Sequence, residues 1–415
     1  MFYRLKMDNK TKIINDPVFG FITIPGEFIF RIINHPYIQR LNRIRQLGLA
    51  FYVYPGAVHT RFHHSLGAMH LMSEAIAQLR SKGHVISDAE RDGAMACILM
   101  HDMGHGPFSH VLENSLVTGI CHEDISLMLM NRMNEEMSGK LSLAIEIFRN
   151  TYPKHFLHQL VSGQLDVDRL DYLRRDSFFT GVTEGNIGSA RIIKMLNLKE
   201  DKLVVEAKGI YSIENFLMAR RLMYWQVYLH KTTVAADKMM ISTLKRAKFL
   251  AMQGRELETT FPLKYFLYNQ VDKQQFESDP DAIRYFTDLD DNDIWCALKA
   301  WTKSSDKVLS LLSTGLINRN LFKIEVSSKP VSENLVTEKI KYFAEKYNLP
   351  HDDIAYLILS ETVSTNMYNE ADDSIDILYK DGSVDDISSA SDMLNIQLLS
   401  KMVKKYYFCF LRDSE

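Results

Sequence analysis

From about residue 27 to about residue 315, apolar residues recur at three- and four-residue spacing, with few alternating runs. That period is the 3.6-residue turn of a helix, so such a chain buries helix faces against helix faces. The expected fold is mainly α. Within it, residues 203–206 read as a short β piece suited to a small hairpin. Beyond Asn320 the texture changes. Residues 321–326 alternate like a strand, 336–347 read as an amphipathic helix, and 355–359 are again strand-like. Residues 374–379, ahead of the Asp381-Gly382 turn, are expected to pair with 355–359. Residues 1–316 are therefore expected to form a helical core, and 317–415 a small C-terminal α+β unit suited to oligomer contacts.

Composition narrows the function. Hydrophobic residues at 46% and charged residues at 24% exclude a disordered, collagenous or disulfide-scaffold chain. The 49 basic and 52 acidic residues give a net charge of −3, whereas a dedicated duplex-DNA binder carries a basic excess. Nucleic acid is thus a secondary expectation as partner. Cys97, Cys121, Cys296 and Cys409 are too scattered for a disulfide framework or a CxxC metal site. Met1 to Asn15 lacks the apolar core of a signal peptide, and no stretch approaches the ~18 apolar residues of a membrane span. A cytoplasmic protein without a membrane partner is expected.

The segment 87–103 carries the chemistry. Ser87 and Glu90 form a capping box that starts a helix, and Gly104 supplies a stop. Ala94, Cys97 and Ile98 lie on its apolar face, and the helical period continues that stripe through His101 and Asp102. An unpaired buried charge is costly, so the two need a partner, and a metal ion answers for both. The pair belongs to His101-Asp102-Met103-Gly104-His105-Gly106-Pro107-Phe108-Ser109-His110, dense in histidine. By contrast, His351-Asp352 after Pro350 reads as a plain helix start. Upstream, Arg61-Phe62-His63-His64-Ser65-Leu66-Gly67 opens another helix. Downstream, Leu165, Asp168, Tyr172 and Asp176 share one helix face. Two histidines and two carboxylates suit Mn, Fe, Zn, Ni or Mg rather than a thiolate-bound metal. So few protein ligands leave places for water and a phosphate oxygen.

His64, then His101-Asp102, then Asp168 reproduce the H…HD…D order of the HD-domain phosphohydrolases. Within them, the segments at 61–67 and 101–110, with Asp166-Val167-Asp168-Arg169-Leu170-Asp171-Tyr172, resemble the deoxynucleoside triphosphate triphosphohydrolases. The similarity runs from about residue 33 to 323 and is to their catalytic core. It implies a divalent metal held by His64, His101, Asp102 and Asp168, and a catalytic cluster of His105, His110, Glu113 and His122. It further implies that Arg61, Arg169, Tyr172 and Arg220 hold a triphosphate, while Gln46, Asp176 and Tyr228 contact deoxyribose or base. The family usually has aspartate where Glu113 stands, so the reach here is longer. Glu113 lies three residues after His110, a spacing that lets the carboxylate orient the imidazole. Arg220, Tyr224 and Tyr228 stand four apart with Lys231 three later, reading as one polar-aromatic helix face. The implied reaction converts a dNTP to deoxynucleoside and inorganic triphosphate.

The resemblance also implies a homo-oligomer, expected as a tetramer, with a nucleotide activator between subunits. Arg191, Lys208, His230, Lys231, Arg319 and Lys323 match that activator pocket. Glu206 and Gln226 stand where the regulated vertebrate members carry arginine, and Asn34 and Asn42 replace an acid and an arginine of their guanine-selecting site. Losing cations and gaining a carboxylate weakens a triphosphate site of that form. Two other functions compete. One is hydrolysis of another nucleotide phosphate ester, although the Gly-Tyr-Pro signature of the cyclic-dinucleotide branch is absent. The other is nucleotide sensing or single-strand nucleic-acid binding through basic and aromatic side chains.

Overall fold

Three helices meet at the centre of the molecule because each carries an apolar stripe that water would otherwise cover. Arg61–Ser81 packs against both Asp88–Met100 and Val167–Thr180. Leu66, Met69, Met72 and Ile76 of the first helix are buried, as are Ala94, Cys97 and Ile98 of the second and Leu170 and Leu173 of the third. Each large apolar side chain so buried contributes about 1.5–3 kcal/mol. The computed structural model describes residues 12–108, 110–113, 115–365, 374–392 and 403–412. Most of the described chain is helical, with small sheets at the periphery. Among the described residues no helix is long and apolar enough to cross a membrane.

Asp88–Met100 starts where its capping box predicts. The Ser87 side chain accepts from the Glu90 amide at 3.2 Å, and Glu90 Oε2 accepts from the Ser87 amide at 2.7 Å. The helix ends at Met100, three residues earlier than the sequence indicates, and 101–104 form a turn. Gly104 is therefore not the stop signal. A Cβ there would lie 1.9 Å from the His122 carbonyl oxygen and 2.5 Å from the Ser126 amide nitrogen. Its bareness lets the helix His122–Glu136 close onto the His101 turn.

At the N-terminus Lys12–Asp16 and Gly20–Ile24 form an antiparallel hairpin. Leu196–Lys199 and Lys202–Glu206 form the expected second hairpin, turned by Glu200 and Asp201, whose φ values of 52° and 62° suit a tight two-residue loop. The C-terminal region contains the expected strand, helix and strand, at Lys323–Ser327, Glu333–Tyr347 and Ile358–Thr365. The two strands flank Val403–Phe410 in a three-stranded antiparallel sheet. One expected pairing is wrong. Asp376–Leu378 joins Lys202–Glu206 in parallel and Val384–Asp386 in antiparallel, not Ile358–Thr365. Ile375 and Ile377 bury against the helical core, and alternation alone cannot say which sheet edge a strand will find.

Candidate active site

His64 lies in the first turn of Arg61–Ser81, Asp168 in the first turn of Val167–Thr180, and His101 and Asp102 directly after Met100. Packing of the three helices makes the four converge. His64 Nε2 lies 3.0 Å from Asp168 Oδ1, and His101 Nε2 lies 3.5 Å from the same oxygen. Asp102 approaches with Oδ1 at 3.3 Å from His101 Nε2 and Oδ2 at 3.8 Å from His64 Nε2. Each imidazole is oriented through its other nitrogen. His64 Nδ1 meets Asp171 Oδ2 at 2.7 Å, and His101 Nδ1 meets the Ile98 carbonyl oxygen at 2.6 Å. Both acceptors call for a proton on Nδ1, which leaves each Nε2, facing the carboxylates, as the atom that takes a further proton or a metal ion. Neither buried Nε2 makes a hydrogen bond. Two orphaned imidazole nitrogens opposite the Asp168 carboxylate fit a divalent cation, with Asp102 alongside.

The local electrostatics agree. At His64 burial opposes a charge, but Asp168 and Asp171 outweigh it and push the imidazole up to about 10. Burial likewise opposes ionisation of Asp102, yet His101, Arg61 and His105 hold its carboxyl well below the ordinary range. The centre thus gathers anionic oxygens around a place that favours positive charge.

A second cluster adjoins it. His105 Nε2 lies 3.3 Å from Asp102 Oδ1, and the His105 ring stacks on His122 with centroids 3.9 Å apart. Burial, reinforced by Arg61, pushes His105 down to about 3, so its imidazole is neutral near pH 7. Glu113 Oε1 lies 3.3 Å from His122 Nδ1, so this carboxylate faces His122. His110 opens the short helix His110–Glu113, but its side chain lies outside the described residues, and with it the expected His110–Glu113 pairing.

Gln46, Arg61, Tyr172, Asp176, Tyr224 and Tyr228 all line one cavity of about 490 Å³. Arg61 Nη1 donates to Asp102 Oδ2 at 2.6 Å, joining that cavity to the metal-type cluster. Tyr228 donates to Asp176 Oδ2 at 2.8 Å, and the buried Oε1 of Gln46 accepts no hydrogen bond. The two tyrosines come from a π-helical turn, Tyr224–Tyr228, in which the Leu229 amide reaches back to the Tyr224 carbonyl at 2.7 Å. Such turns are frequent at functional sites. Here the turn breaks the expected single face. Lys231 opens a new helix, Lys231–Met252, capped by His230, and lines a different cavity. Arg169 and Arg220 stand beside Tyr172 rather than in the cavity wall. Arg169 donates to the Gly163 carbonyl and to Asp166, and Arg220 to Gln164 Oε1 at 3.1 Å.

Of the residues matched to an activator pocket, Lys231, Arg319 and Lys323 line one cavity of about 420 Å³, which Arg412 completes. His230 adjoins it as the helix cap. Arg191 and Lys208 form a separate contact, Arg191 Nη2 donating to the Lys208 carbonyl at 3.2 Å. Glu206 is engaged by Lys82 at 2.7 Å.

Sequence reasoning gave no role to several residues that shape these sites. Asp171 stands within the 166–172 segment, three residues after Asp168, a spacing that places both on one helix face. His59 is buried and meets Asp176 Oδ1 at 2.8 Å. Lys238 and Glu361, an ion pair at the cavity wall, and Arg412 carried no local signal, because only the fold brings them in.

A mainly helical chain that sets two histidines and two carboxylates beside a tyrosine-lined cavity has the makings of a metal-dependent phosphohydrolase. Comparison with known proteins agrees. The structure superposes on a phosphohydrolase from Bacteroides thetaiotaomicron with a TM-score of 0.95 and 62% identity, covering 97% of this chain and 100% of that one. The chain is 33% identical over 322 residues to the uncharacterised protein YwfO of Bacillus subtilis, across 76% of this chain and 72% of that protein. It is 28% identical over 392 residues to the human deoxynucleoside triphosphate triphosphohydrolase SAMHD1, across 82% of this chain but 58% of that protein. Residues 187–258 match the HD associated region. The chain belongs to the HD-domain phosphohydrolase family.

Proposed function

We propose that this protein hydrolyses deoxynucleoside triphosphates to deoxynucleoside and inorganic triphosphate. The observation that carries the reading is the position of Arg61, in the cavity wall and bonded to Asp102 at 2.6 Å. A guanidinium so placed can grip a phosphate oxygen at the edge of the metal-type centre. Similarity to the human triphosphohydrolase across 82% of this chain supports the same reaction class.

His64, His101, Asp102 and Asp168 would hold the cation, which when bound supplies Lewis-acid polarisation of water and phosphate. Mn, Fe, Zn, Ni and Mg all suit that donor set. Arg61 neutralises charge developing on the α-phosphate, and Arg169 and Arg220 reach the outer phosphates on leaving their present partners, Asp166 and the Gly163 carbonyl for Arg169 and the Gln164 amide for Arg220. His122, turned by Glu113 and stacked on the neutral His105 ring, hands a proton to the 5′-oxygen as it leaves, and His105 braces that imidazole. His110 belongs to the same cluster. Tyr172, Tyr224 and Tyr228 pack the sugar and base, while Gln46 and Asp176 offer oxygens to its hydroxyl or amino groups. We further propose a tetramer in which Lys231, Arg319 and Lys323, with His230, face Arg191 and Lys208 of a neighbouring subunit around a nucleotide.

Ion-exchange separation of products from four dNTPs and four NTPs, alone and mixed, with Mn or Mg, tests the reaction. Release of triphosphate from at least one dNTP is expected. Monophosphate release alone, or no turnover, contradicts it. The present engagement of Arg169 and Arg220 favours, as a second reading, hydrolysis of a smaller nucleotide ester. Turnover of dAMP, added to the same panel, with dGTP untouched would select it.

A further inference from the structure

His64 is the end of a continuous buried chain of charged groups that starts in the N-terminal hairpin. Its Nδ1 meets Asp171 Oδ2 at 2.7 Å. Arg175 grips the same carboxylate twice, Nε to Oδ2 and Nη2 to Oδ1, both at 3.0 Å. The remaining amino group, Nη1, reaches Asp16 Oδ2 at 2.8 Å. Asp16 closes the chain with its other oxygen, which accepts from the amides of Val18 and Phe19 at 2.9 Å each, in the turn between Lys12–Asp16 and Gly20–Ile24. The side chains of His64, Asp171, Arg175 and Asp16 are all at most 3% exposed.

Two further observations show that the fold makes room for this chain. Gly67 lies on the His64 helix directly beneath it, and a Cβ there would come within 1.9 Å of Asp171 Oδ1 and 2.2 Å of Arg175 Nη2. The guanidiniums of Arg174 and Arg175 lie over the Phe19 ring, 4.8 and 5.6 Å from its centroid, fixing the hairpin turn against the helix Val167–Thr180. A fully connected buried network of this kind has one arrangement, because any broken link leaves a charge unpaired in a dry interior.

We propose that Asp16 is a positioning residue for His64, acting through Arg175 and Asp171, so that the N-terminal hairpin sets the geometry and affinity of the metal centre. The proposal rests on His64 being a metal ligand. Outer-shell partners of a metal-bound imidazole fix its tautomer and ring plane, and losing them weakens metal binding about 10- to 100-fold. Asp16 does this at two removes, through Arg175 and then Asp171. Without it, Arg175 keeps a buried charge with one carboxylate partner and is free to draw Asp171 off His64.

Mn²⁺ titrated into the metal-free full-length protein, with free ion counted by electron paramagnetic resonance, tests this without any substrate. Asp16→Asn is expected to weaken Mn²⁺ binding about tenfold, and Asp171→Asn at least as much. Ile22→Ala loosens the same hairpin without touching the network and is expected to lower the melting temperature while leaving Mn²⁺ affinity unchanged. An Asp16→Asn protein that binds Mn²⁺ like wild type, or an Ile22→Ala protein weakened equally, overturns the proposal. Should Asp16→Asn fail to fold, wild-type hydrogen exchange decides: Mn²⁺ is expected to slow exchange at Val18 and Phe19, and unchanged rates contradict the coupling. His64→Ala separates the two levels. If it keeps wild-type Mn²⁺ affinity, the metal-ligand reading itself fails; if it loses binding while Asp16→Asn does not, only this proposal does.

Discussion

Arg61 Nη1 and Asp102 Oδ2 are 2.6 Å apart, in an ion pair whose side chains are 7% and 9% exposed. One partner lines the cavity and the other faces the paired imidazoles, so a single contact joins the cavity wall to the metal-type centre.

Arg61→Lys keeps the charge and loses the planar fork. It is expected to lower kcat/KM for the preferred dNTP by about 10²–10³, the usual cost of one donor aimed at developing charge. Arg61→Ala also strands Asp102 and is expected to destabilise the fold by about 3–5 kcal/mol. Steady-state kinetics and chemical unfolding check the two effects separately. A Lys variant with wild-type kcat/KM would remove Arg61 from the phosphate site.

Gly104→Ala places a methyl group 1.9 Å from the His122 carbonyl oxygen. Backbone cannot swing away as a side chain can, so the helix His122–Glu136 must shift and the His105–His122 stack opens. A loss of about 1–3 kcal/mol in stability is expected, with activity falling further than stability explains. Thermal melts and turnover of the same preparation measure both.

The helical architecture was legible because the period of its apolar residues is a local property, as was the Ser87–Glu90 cap. His101 and Asp102 were legible because they continue a buried apolar helix face and need a partner there, whereas His64 and Asp168 were assigned through the resemblance to the HD-domain order. The sheet partner of Asp376–Leu378 was not, since pairing across a wide sequence gap depends on which edge the folded core leaves open. The π-helical turn at Tyr224–Tyr228 was equally hidden: Arg220, Tyr224, Tyr228 and Lys231 keep ordinary α-helical spacing on paper, and only the Tyr224 to Leu229 hydrogen bond sends Lys231 elsewhere. Asp171 and Arg175 stand four residues apart, a spacing the sequence reading left unused, and Asp16 is brought to them by a hairpin far away in the chain.

Acid is expected to weaken the fold through Glu90. Burial opposes its charge, but Lys154, the Ser87 amide and Tyr152 outweigh it and bring the carboxyl down to about 2, against 4.5 for a free side chain. A depressed folded value means that the unfolded chain binds the proton more readily. The contribution is therefore fully present above pH 4.5 and is lost as pH falls toward 2. Glu90→Gln is expected to cost about 1–2 kcal/mol at pH 7 and progressively less toward pH 2–3. Melting curves of both proteins across that range check the convergence.

The basic cavity of Lys231, Arg319, Lys323 and Arg412 is expected to take a polyphosphate. Light scattering is expected to show a tetramer in the presence of dNTPs. Arg412→Glu, outside the cavity proposed to hold the substrate, is expected to lower dNTP-dependent assembly or activation at least tenfold. A protein that stays monomeric with and without dNTPs would contradict the assembly.

Hydrolysis in H₂¹⁸O, followed by mass spectrometry of the products, tests the central claim most directly. Attack on the α-phosphorus forms one P–O bond to water and breaks the bond to the 5′-oxygen, so one ¹⁸O is expected in inorganic triphosphate and none in the deoxynucleoside. Label in the deoxynucleoside, or in orthophosphate or pyrophosphate released beside a shorter nucleotide, would contradict the account.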